Sequence, residues 1–383
     1  MANELLIKNG RVCVPGELLD GDVLVSDGRI AAIGRQLDAP GAQVFDAGGA
    51  LVMPGFIDIH THGAVGVDMN GADEAGLAKV SAFFASQGVT GFLPTLLTDS
   101  HEALLTYVHA IGQAAPRITQ GAAVLGIHLE GPYLAAEYKG AMPEHLLMHT
   151  ADAELFAKYQ KASGGHVRYT TLAPEIPGVP GLIPRLNAMG IVCAMGHSGA
   201  GYDQCAACVD AGVRSVTHLG NAMRLFHQHD PAIFGVALER DVYVEAICDG
   251  RHLHPGTVRL YLKAKGYDRV VAVTDSIMAA GLPDGSYKLG VNDVIVENGD
   301  AKLPNGVRAG STLTMAQALR NLMAFTGEGA ETVSRLMTAN PARLMGWAGK
   351  GELDVGKDAD LVLLDGDYQV ARTVVGGRTV YTR

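Results

Sequence analysis

Short apolar runs punctuated by tight turns open and close the chain, and a different rhythm fills the middle. "ELLIKNGRVCV", "GDVLVSDGRIAAIG" and "AQVFDAGGALVMPG" read as brief strands separated by Gly, Asp and Asn. The ending, "GELDVGKDADLVLLDGDYQVARTVVGGRTVYTR", has the same texture. Two terminal β segments of like character predict one small sheet unit, residues 1–54 with 346–383. The middle of the chain, 55–345, is then an insertion between its halves.

Within that insertion apolar strands alternate with helical periodicity. The strand candidates are "FIDIH", "VTGFLPT", "AAVLGIHLEG", "VRYTTLAP", "GIVCAMGH", "RSVTHL", "VYVEAICD" and "RVVAVTD". Helix-like segments lie between most of them, among them Glu74–Gln87, Ser100–Ala114, Asp203–Ala211 and Pro255–Lys265. Alternation of this kind gives an α/β fold with a parallel sheet. A doubly wound open sheet alternates too, but eight strands favour a (β/α)8 TIM-type barrel.

Composition narrows the function classes. In 383 residues, 48% are hydrophobic, enough for a sizeable core, and the 49 glycines suit many short turns. A net charge of −10 argues against a nucleic-acid surface. "MANELLIKNG" lacks the apolar core of a signal peptide, and no apolar run reaches membrane-spanning length, so a cytoplasmic protein without a membrane partner is expected. Cys205 and Cys208 form a C-x-x-C, but without a second pair they read as buried helix cysteines rather than a redox or zinc motif.

The polar residues at the strand ends carry the chemistry. His60 and His62 end the first strand, Glu130 the third, His197 the fifth, His218 the sixth and Asp275 the eighth. Parallel strands closed into a barrel bring their carboxyl ends to one face, where active sites form. Any one of these residues has an ordinary structural explanation, such as Asp275 as a helix N-cap. Six together at five strand ends are poorly explained by packing. Side chains two apart on a strand share a face, so His60 and His62 can grip one ion, with Asp58 hydrogen-bonding behind them. Imidazoles and carboxylates without thiolate suit zinc, iron(II), manganese or nickel, and zinc is the usual choice for hydrolysis. With two ions, Glu130 is the natural bridge between a His60–His62 site and a His197–His218 site.

At these residues the chain resembles the amidohydrolase superfamily, and within it the family of N-acetylglucosamine-6-phosphate deacetylases. "PGFIDIHTHG", "GIHLEGPYL", "GHS", "THLGNAM", "DGRHLHP", "VTDSIMAAGL", "AGSTLTM", "NPARLMG" and "GELDVGKDADLVLLD" follow in the family's order. The H-x-H pair and the ending are superfamily features; "HLEGP" and "HLGNAM" are more specific. The resemblance implies a (β/α)8 barrel with a small β-sandwich built from both termini. It implies a divalent ion on Glu130, His197 and His218 and Asp275 as the proton carrier; members without the H-x-H pair work with one metal, and His60 and His62 leave room here for one ion or two. It further implies a small N-acetylated sugar phosphate as substrate, and a homodimer. The substrate contacts it implies are Asn221 and Ala222 beside His218, His252 near the phosphate, and Ala141 with Ala309–Gly310 along the sugar pocket.

Two positions depart from the family pattern. His229 in "FHQHDPAIFG" stands where the family carries a phosphate-binding Arg that reaches a neighbouring subunit's substrate, and Met142 stands where a His or Gln is common. Histidine is a weaker phosphate partner than a guanidinium; Arg224, Arg251 and His227 are the candidates to compensate. The alternatives are an N-acetylgalactosamine-6-phosphate deacetylase, another amidohydrolase, and a non-catalytic scaffold. Cyclic-amide hydrolases usually bridge their ions with lysine, and Glu130 speaks against them. The filled ligand positions speak against a scaffold.

Overall fold

A computed structural model describes residues 4–383; the first three residues of the N-terminal segment, and of the stretch read as lacking a signal peptide, lie outside it. The eight strands expected in the middle of the chain are β1 Phe56–Thr61, β2 Val89–Leu97, β3 Ile127–Glu130, β4 Val167–Leu172, β5 Val192–Met195, β6 Ser215–Val216, β7 Tyr243–Ile247 and β8 Val270–Val273. Each pairs in parallel with its sequence neighbour. The ring closes from β8 to β1 just beyond the strand ends, where Asp275 N–H donates to His60 O and His62 N–H to Ser276 O. The result is a mixed α/β fold around a nearly closed parallel barrel.

Eight main helices cover the barrel: α1 Glu74–Ser86, α2 His101–Ala114, α3 Ala153–Ala162, α4 Val179–Ala188, α5 Tyr202–Asp210, α6 Ala232–Glu239, α7 Pro255–Lys265 and α8 Met315–Thr326. Their starts follow local chemistry. Asp73, Ser100 and Thr314 accept backbone N–H groups in the first turns of α1, α2 and α8, and Pro255 occupies the first turn of α7, where its missing N–H costs nothing. Cys205 and Cys208 are buried on the inner face of α5 as free thiols, and burial pushes both thiols up. Among the described residues no helix is long and apolar enough to cross a membrane.

The chain ends form one eight-stranded sheet. Leu361–Leu364 lies antiparallel to Leu51–Pro54 and so joins the C-terminal strands to the N-terminal ones. This sheet wraps its own core of Ile7, Val23, Val25, Ile30, Leu361 and Leu363. Its strand at Leu51–Pro54 runs directly into β1, which fixes where the first ligands begin.

Two features differ from the sequence reading. The run "AAVLGIHLEG" is broken: Ala123–Val124 pairs with β2, and β3 begins only at Ile127. Gly126 sits at φ +155°, and a Cβ there would lie 2.4 Å from the Arg168 side chain, so the strand steps inward at the one residue without a side chain. A three-stranded antiparallel sheet, Gly285–Leu289, Asn292–Glu297 and Asp300–Lys302, follows β8 and stands beside the barrel mouth. The sequence reading had no element there.

Candidate metal centre and active-site cavity

All six strand-end residues converge at the carboxyl-terminal mouth. His60, His62 and Asp275 form one group with potential ligand atoms within 4.8 Å of one another; Glu130, His197 and His218 form a second. Glu130 lies between them. Its Oε1 is 3.0 Å from His197 Nε2, 3.1 Å from His218 Nε2 and 3.5 Å from His60 Nε2, while Oε2 is 3.2 Å from His62 Nε2. Asp275 Oδ1 faces His62 Nε2 at 3.1 Å and His60 Nε2 at 3.5 Å. All six are buried.

The opposite edges of the rings set this arrangement. His60 Nδ1–H donates to Glu245 (3.0 Å), His62 Nδ1–H to Thr95 O (3.2 Å) and His197 Nδ1–H to Tyr138 O (2.8 Å). A proton on Nδ1 leaves the Nε2 lone pair aimed inward. Three of these residues hold unusual backbone: His197 (φ 49°), His218 (φ 28°) and Asp275 (φ 49°) lie in the left-handed region, which turns each side chain back over the strand end.

The electrostatics call for positive charge at the centre. Burial disfavours a proton on His60, yet Glu130 and Asp275 raise its pKa well above the usual imidazole range. For His62 burial is again outweighed, by Asp275 and Glu130, and the pKa rises to about 9. Burial works against ionised Glu130 as well, but His60 and His197 hold its pKa well below the ordinary value. Two buried carboxylates therefore demand a cation or bound protons. His60 Nε2 has no hydrogen-bond partner, and the Nε2 atoms of His197 and His218 stand only 3.1 Å apart. His197, protonated on Nδ1, aims a lone pair at this point, and His218, whose Nδ1 has no partner, is free to do the same towards a cation held between them. The donor set and its orientation fit a divalent metal ion.

Above this floor opens a cavity of ≈ 250 Å³. Ala141, Asn221, Ala222, His252, Ala309 and Gly310, the contacts the resemblance implies, all lie on its wall, as does Met142. His252 Nδ1–H donates to Asp249 (2.7 Å). His229 does not reach the wall; it is exposed on the loop after Asn221, beside His227 and the exposed Leu225 and Phe226. Arg224 pairs with Asp230, and Arg251 donates to Asn298 O. A larger hollow of ≈ 570 Å³ lies between the terminal sheet and the barrel; its Arg335 and Arg343 are drawn into pairs with Asp268 and Glu352, and among the described residues no metal-ligating group gathers there.

Asp58 does not support the histidine rings. Its carboxylate accepts from Thr274 Oγ1 (2.6 Å) and the His60 backbone N–H (3.3 Å), stapling β1 to β8. Burial lifts its pKa to about 7 against these hydrogen bonds. The group behind His60 is Glu245, midway along β7, which also accepts from Tyr169 Oη (2.6 Å) and the His218 backbone N–H (3.2 Å). Its one sequence signal is a carboxylate inside the apolar run "VYVEAICD". His128, fully buried beneath His60 with ring centroids 4.6 Å apart, was likewise unforeseen; burial and His60 depress its pKa strongly.

Residues 51–380 match the model of the amidohydrolase family. The N-acetylglucosamine-6-phosphate deacetylase of Bacillus subtilis (strain 168) is 35% identical over 389 residues, covering 100% of this chain and 98% of that one. The N-acetylgalactosamine-6-phosphate deacetylase of Escherichia coli O157:H7 is 34% identical, covering 95% of each chain. Among solved structures, a mutant N-acetyl-D-glucosamine-6-phosphate deacetylase from Mycobacterium smegmatis in complex with N-acetyl-D-glucosamine-6-phosphate superposes with a TM-score of 0.91. It is 34% identical and covers 99% of this chain and 100% of its own.

Proposed function

The chain belongs to the amidohydrolase family, and from that premise we propose that it hydrolyses the N-acetyl group of N-acetyl-D-glucosamine 6-phosphate to D-glucosamine 6-phosphate and acetate. The carrying observation is Glu130, one carboxylate spanning two histidine groups beneath a cavity. The family is metal-dependent. Here Glu130, His197 and His218 would hold one divalent ion, and His60, His62 and Asp275 a second; zinc is the metal we assign. A bound ion supplies Lewis acidity, polarising the acetyl carbonyl and acidifying water.

The chain's own residues do the rest. Asp275, on the cavity wall, takes the proton that the attacking water loses and returns it to the amide nitrogen as the C–N bond breaks. The amine leaves neutral, and the acetic acid formed gives up its remaining proton to solvent, leaving acetate. Asn221 and Ala222 beside His218, and Ala309–Gly310 beside Asp275, border the acetamide and sugar; His252, held by Asp249, faces the sugar from another side. Met142 and Leu289 exclude water from the same cavity.

The galactosamine epimer is the second reading, because the Escherichia coli relative named for that substrate is as similar as the glucosamine-type ones. We further assign residues 1–54 and 346–383 to a small domain beside the 55–345 catalytic domain, a cytoplasmic location, and a homodimer in which His229 and its exposed loop face the neighbouring subunit. The deciding experiment is a deacetylation assay on metal-quantified protein, with both N-acetylhexosamines, each with and without the 6-phosphate. Release of acetate from the glucosamine phosphate at the highest kcat/KM is expected. No acetate from any of the four would refute the reading.

A further inference from the structure

The cavity has a charged wall that the sequence did not announce. Among the residues lining it, Arg308 alone is an arginine or lysine. Its side chain remains 41% exposed, and its place is fixed from two directions. On the backbone, Lys302 and Arg308 form an antiparallel bridge, and Ala309 N–H donates to Ala301 O (3.2 Å). Two residues further on, Ser311 N–H donates to Asp275 O (2.7 Å), so the segment carrying Arg308 is tied to the site floor. On the side chain, Asp300 accepts from Nε (2.9 Å) and Nη2 (3.3 Å). Nη1 keeps both of its hydrogens unengaged by protein.

Asp300 does not neutralise this corner. Lys302 Nζ contacts the same carboxylate at 2.7 Å, so two cations share Asp300, while Asp249, the other carboxylate acting on Arg308, is bonded to His252. The alternatives are spent or remote. Arg224 and Arg251 are engaged elsewhere and His229 lies off the wall; His252 stays on the wall with Nδ1 held by Asp249, a single donor beside the guanidinium. A pyranose carries its C2 acetamide and its C6 substituent at separate ends. With the acetamide at the floor, the C6 group would lie in the outer part of the cavity, whose wall includes Arg308.

We propose that Arg308 binds the substrate's phosphate through Nη1, so that preference for a 6-phosphorylated sugar is set within one chain by the segment linking the three-stranded sheet to Gly310. This rests on the deacetylase reading. A planar guanidinium already held on one edge loses little freedom on binding a phosphate with the other.

The test compares wild type, Arg308→Leu and Arg308→Lys on N-acetylglucosamine with and without the 6-phosphate. The ratio of kcat/KM for the phosphorylated to the plain sugar should fall about ten- to a hundredfold in the Leu variant, as for loss of a charged hydrogen bond. The change should appear in KM rather than kcat, with partial recovery in the Lys variant. An unchanged ratio overturns the proposal. Titration calorimetry with the same two sugars separates this outcome from failure of the deacetylase reading. If wild type releases no acetate, that reading falls, yet phosphate-dependent binding lost in Arg308→Leu would still support Arg308. Equal binding by the two proteins would overturn it.

Discussion

Replacing Glu245 with glutamine tests how the histidine cluster is oriented. The carboxylate is fully buried and accepts three hydrogen bonds, from Tyr169 Oη, His60 Nδ1 and the His218 backbone. Glutamine keeps the shape but offers one acceptor oxygen, and its NH2 must face at least one donor. Losing one charged hydrogen bond costs about 1.5–3 kcal/mol, and a buried donor left unmatched about 1–3 more, so the folded state should lose roughly 2.5–6 kcal/mol. The His60 ring would also lose the partner that keeps its proton on Nδ1. Groups in this relation to a ligand typically alter metal affinity about 10–100-fold. Competition of the purified variant with a chromogenic chelator reads the affinity, and thermal unfolding reads the stability. Tyr169→Phe is the control: it removes one bond to Glu245 and leaves the His60 contact, so stability should fall while affinity stays within about twofold. Wild-type zinc affinity in Glu245→Gln would refute the argument that Glu245 orients His60.

Other perturbations reach different parts of the molecule. Asp275→Asn suits the positive φ at this position, since asparagine tolerates left-handed backbone; kcat should drop about 10²–10⁴-fold while the ion on Glu130, His197 and His218 is retained, which metal analysis checks. Near-normal turnover would remove Asp275 from the proton path. Gly112→Ala should lower Tm by a few degrees. Helix propensity favours alanine by about 1 kcal/mol, but its Cβ would meet Ser163 O at 2.2 Å, an overpacking of backbone that costs about 1–3 kcal/mol or more. Burial pushes the Lys265 pKa down to about 8, against the pull of Asp241, while the unfolded chain titrates near ~10.4. The charged lysine therefore burdens the fold fully below pH 8, and stability recovers as pH rises from 8 to about 10. The Tm difference between Lys265→Met and wild type, followed across that interval, should shift in favour of wild type; a constant difference would contradict the sign.

The barrel was legible because its signal is local. Eight apolar runs, each bounded by turn residues, correspond to β1–β8, and the six strand-end residues could be gathered by assuming only that parallel strands share an exit face. Partners could not be read the same way. Glu245 is 185 residues from His60, and Asp58 is 216 from Thr274. Face-sharing along β1 placed Asp58 beside the histidines, but pairing across the β8–β1 seam decided which atom it bonds. The three-stranded sheet was missed although "YKLGVNDVIVENGDAK" carries both strand alternation and a turn-forming Asn-Gly. It lay outside the strand–helix rhythm being followed. Arg308 has no signal of its own, since only the return of that sheet to the barrel turns a loop cation into a wall of the cavity.

Barrel closure and site geometry depend on the same bonds. Asp275 would pay about 1–3 kcal/mol for its left-handed backbone if nothing held it there. Its N–H donates to His60 O, its C=O accepts from Ser311 N–H, and the neighbouring Ser276 O accepts from His62 N–H. The bonds to His60 and from His62 join the eighth strand end to the first, the bond from Ser311 adds a third anchor, and together they set His60, His62 and Asp275 around one point. At His218 the backbone N–H donates to Glu245, which in turn holds His60. Strain at the ligands is thus offset by contacts the barrel needs in order to close. Damage at the seam should therefore appear first as lost metal affinity, before the sheet itself unravels. Thr274→Val tests this coupling: it nearly keeps the volume, removes the hydroxyl that donates to Asp58 at 2.6 Å and accepts from the Ser276 N–H at 3.2 Å, and leaves every ligand side chain in place. Weaker zinc binding with the fold intact by circular dichroism is expected, and unchanged affinity alongside a lowered Tm would separate closure from the site.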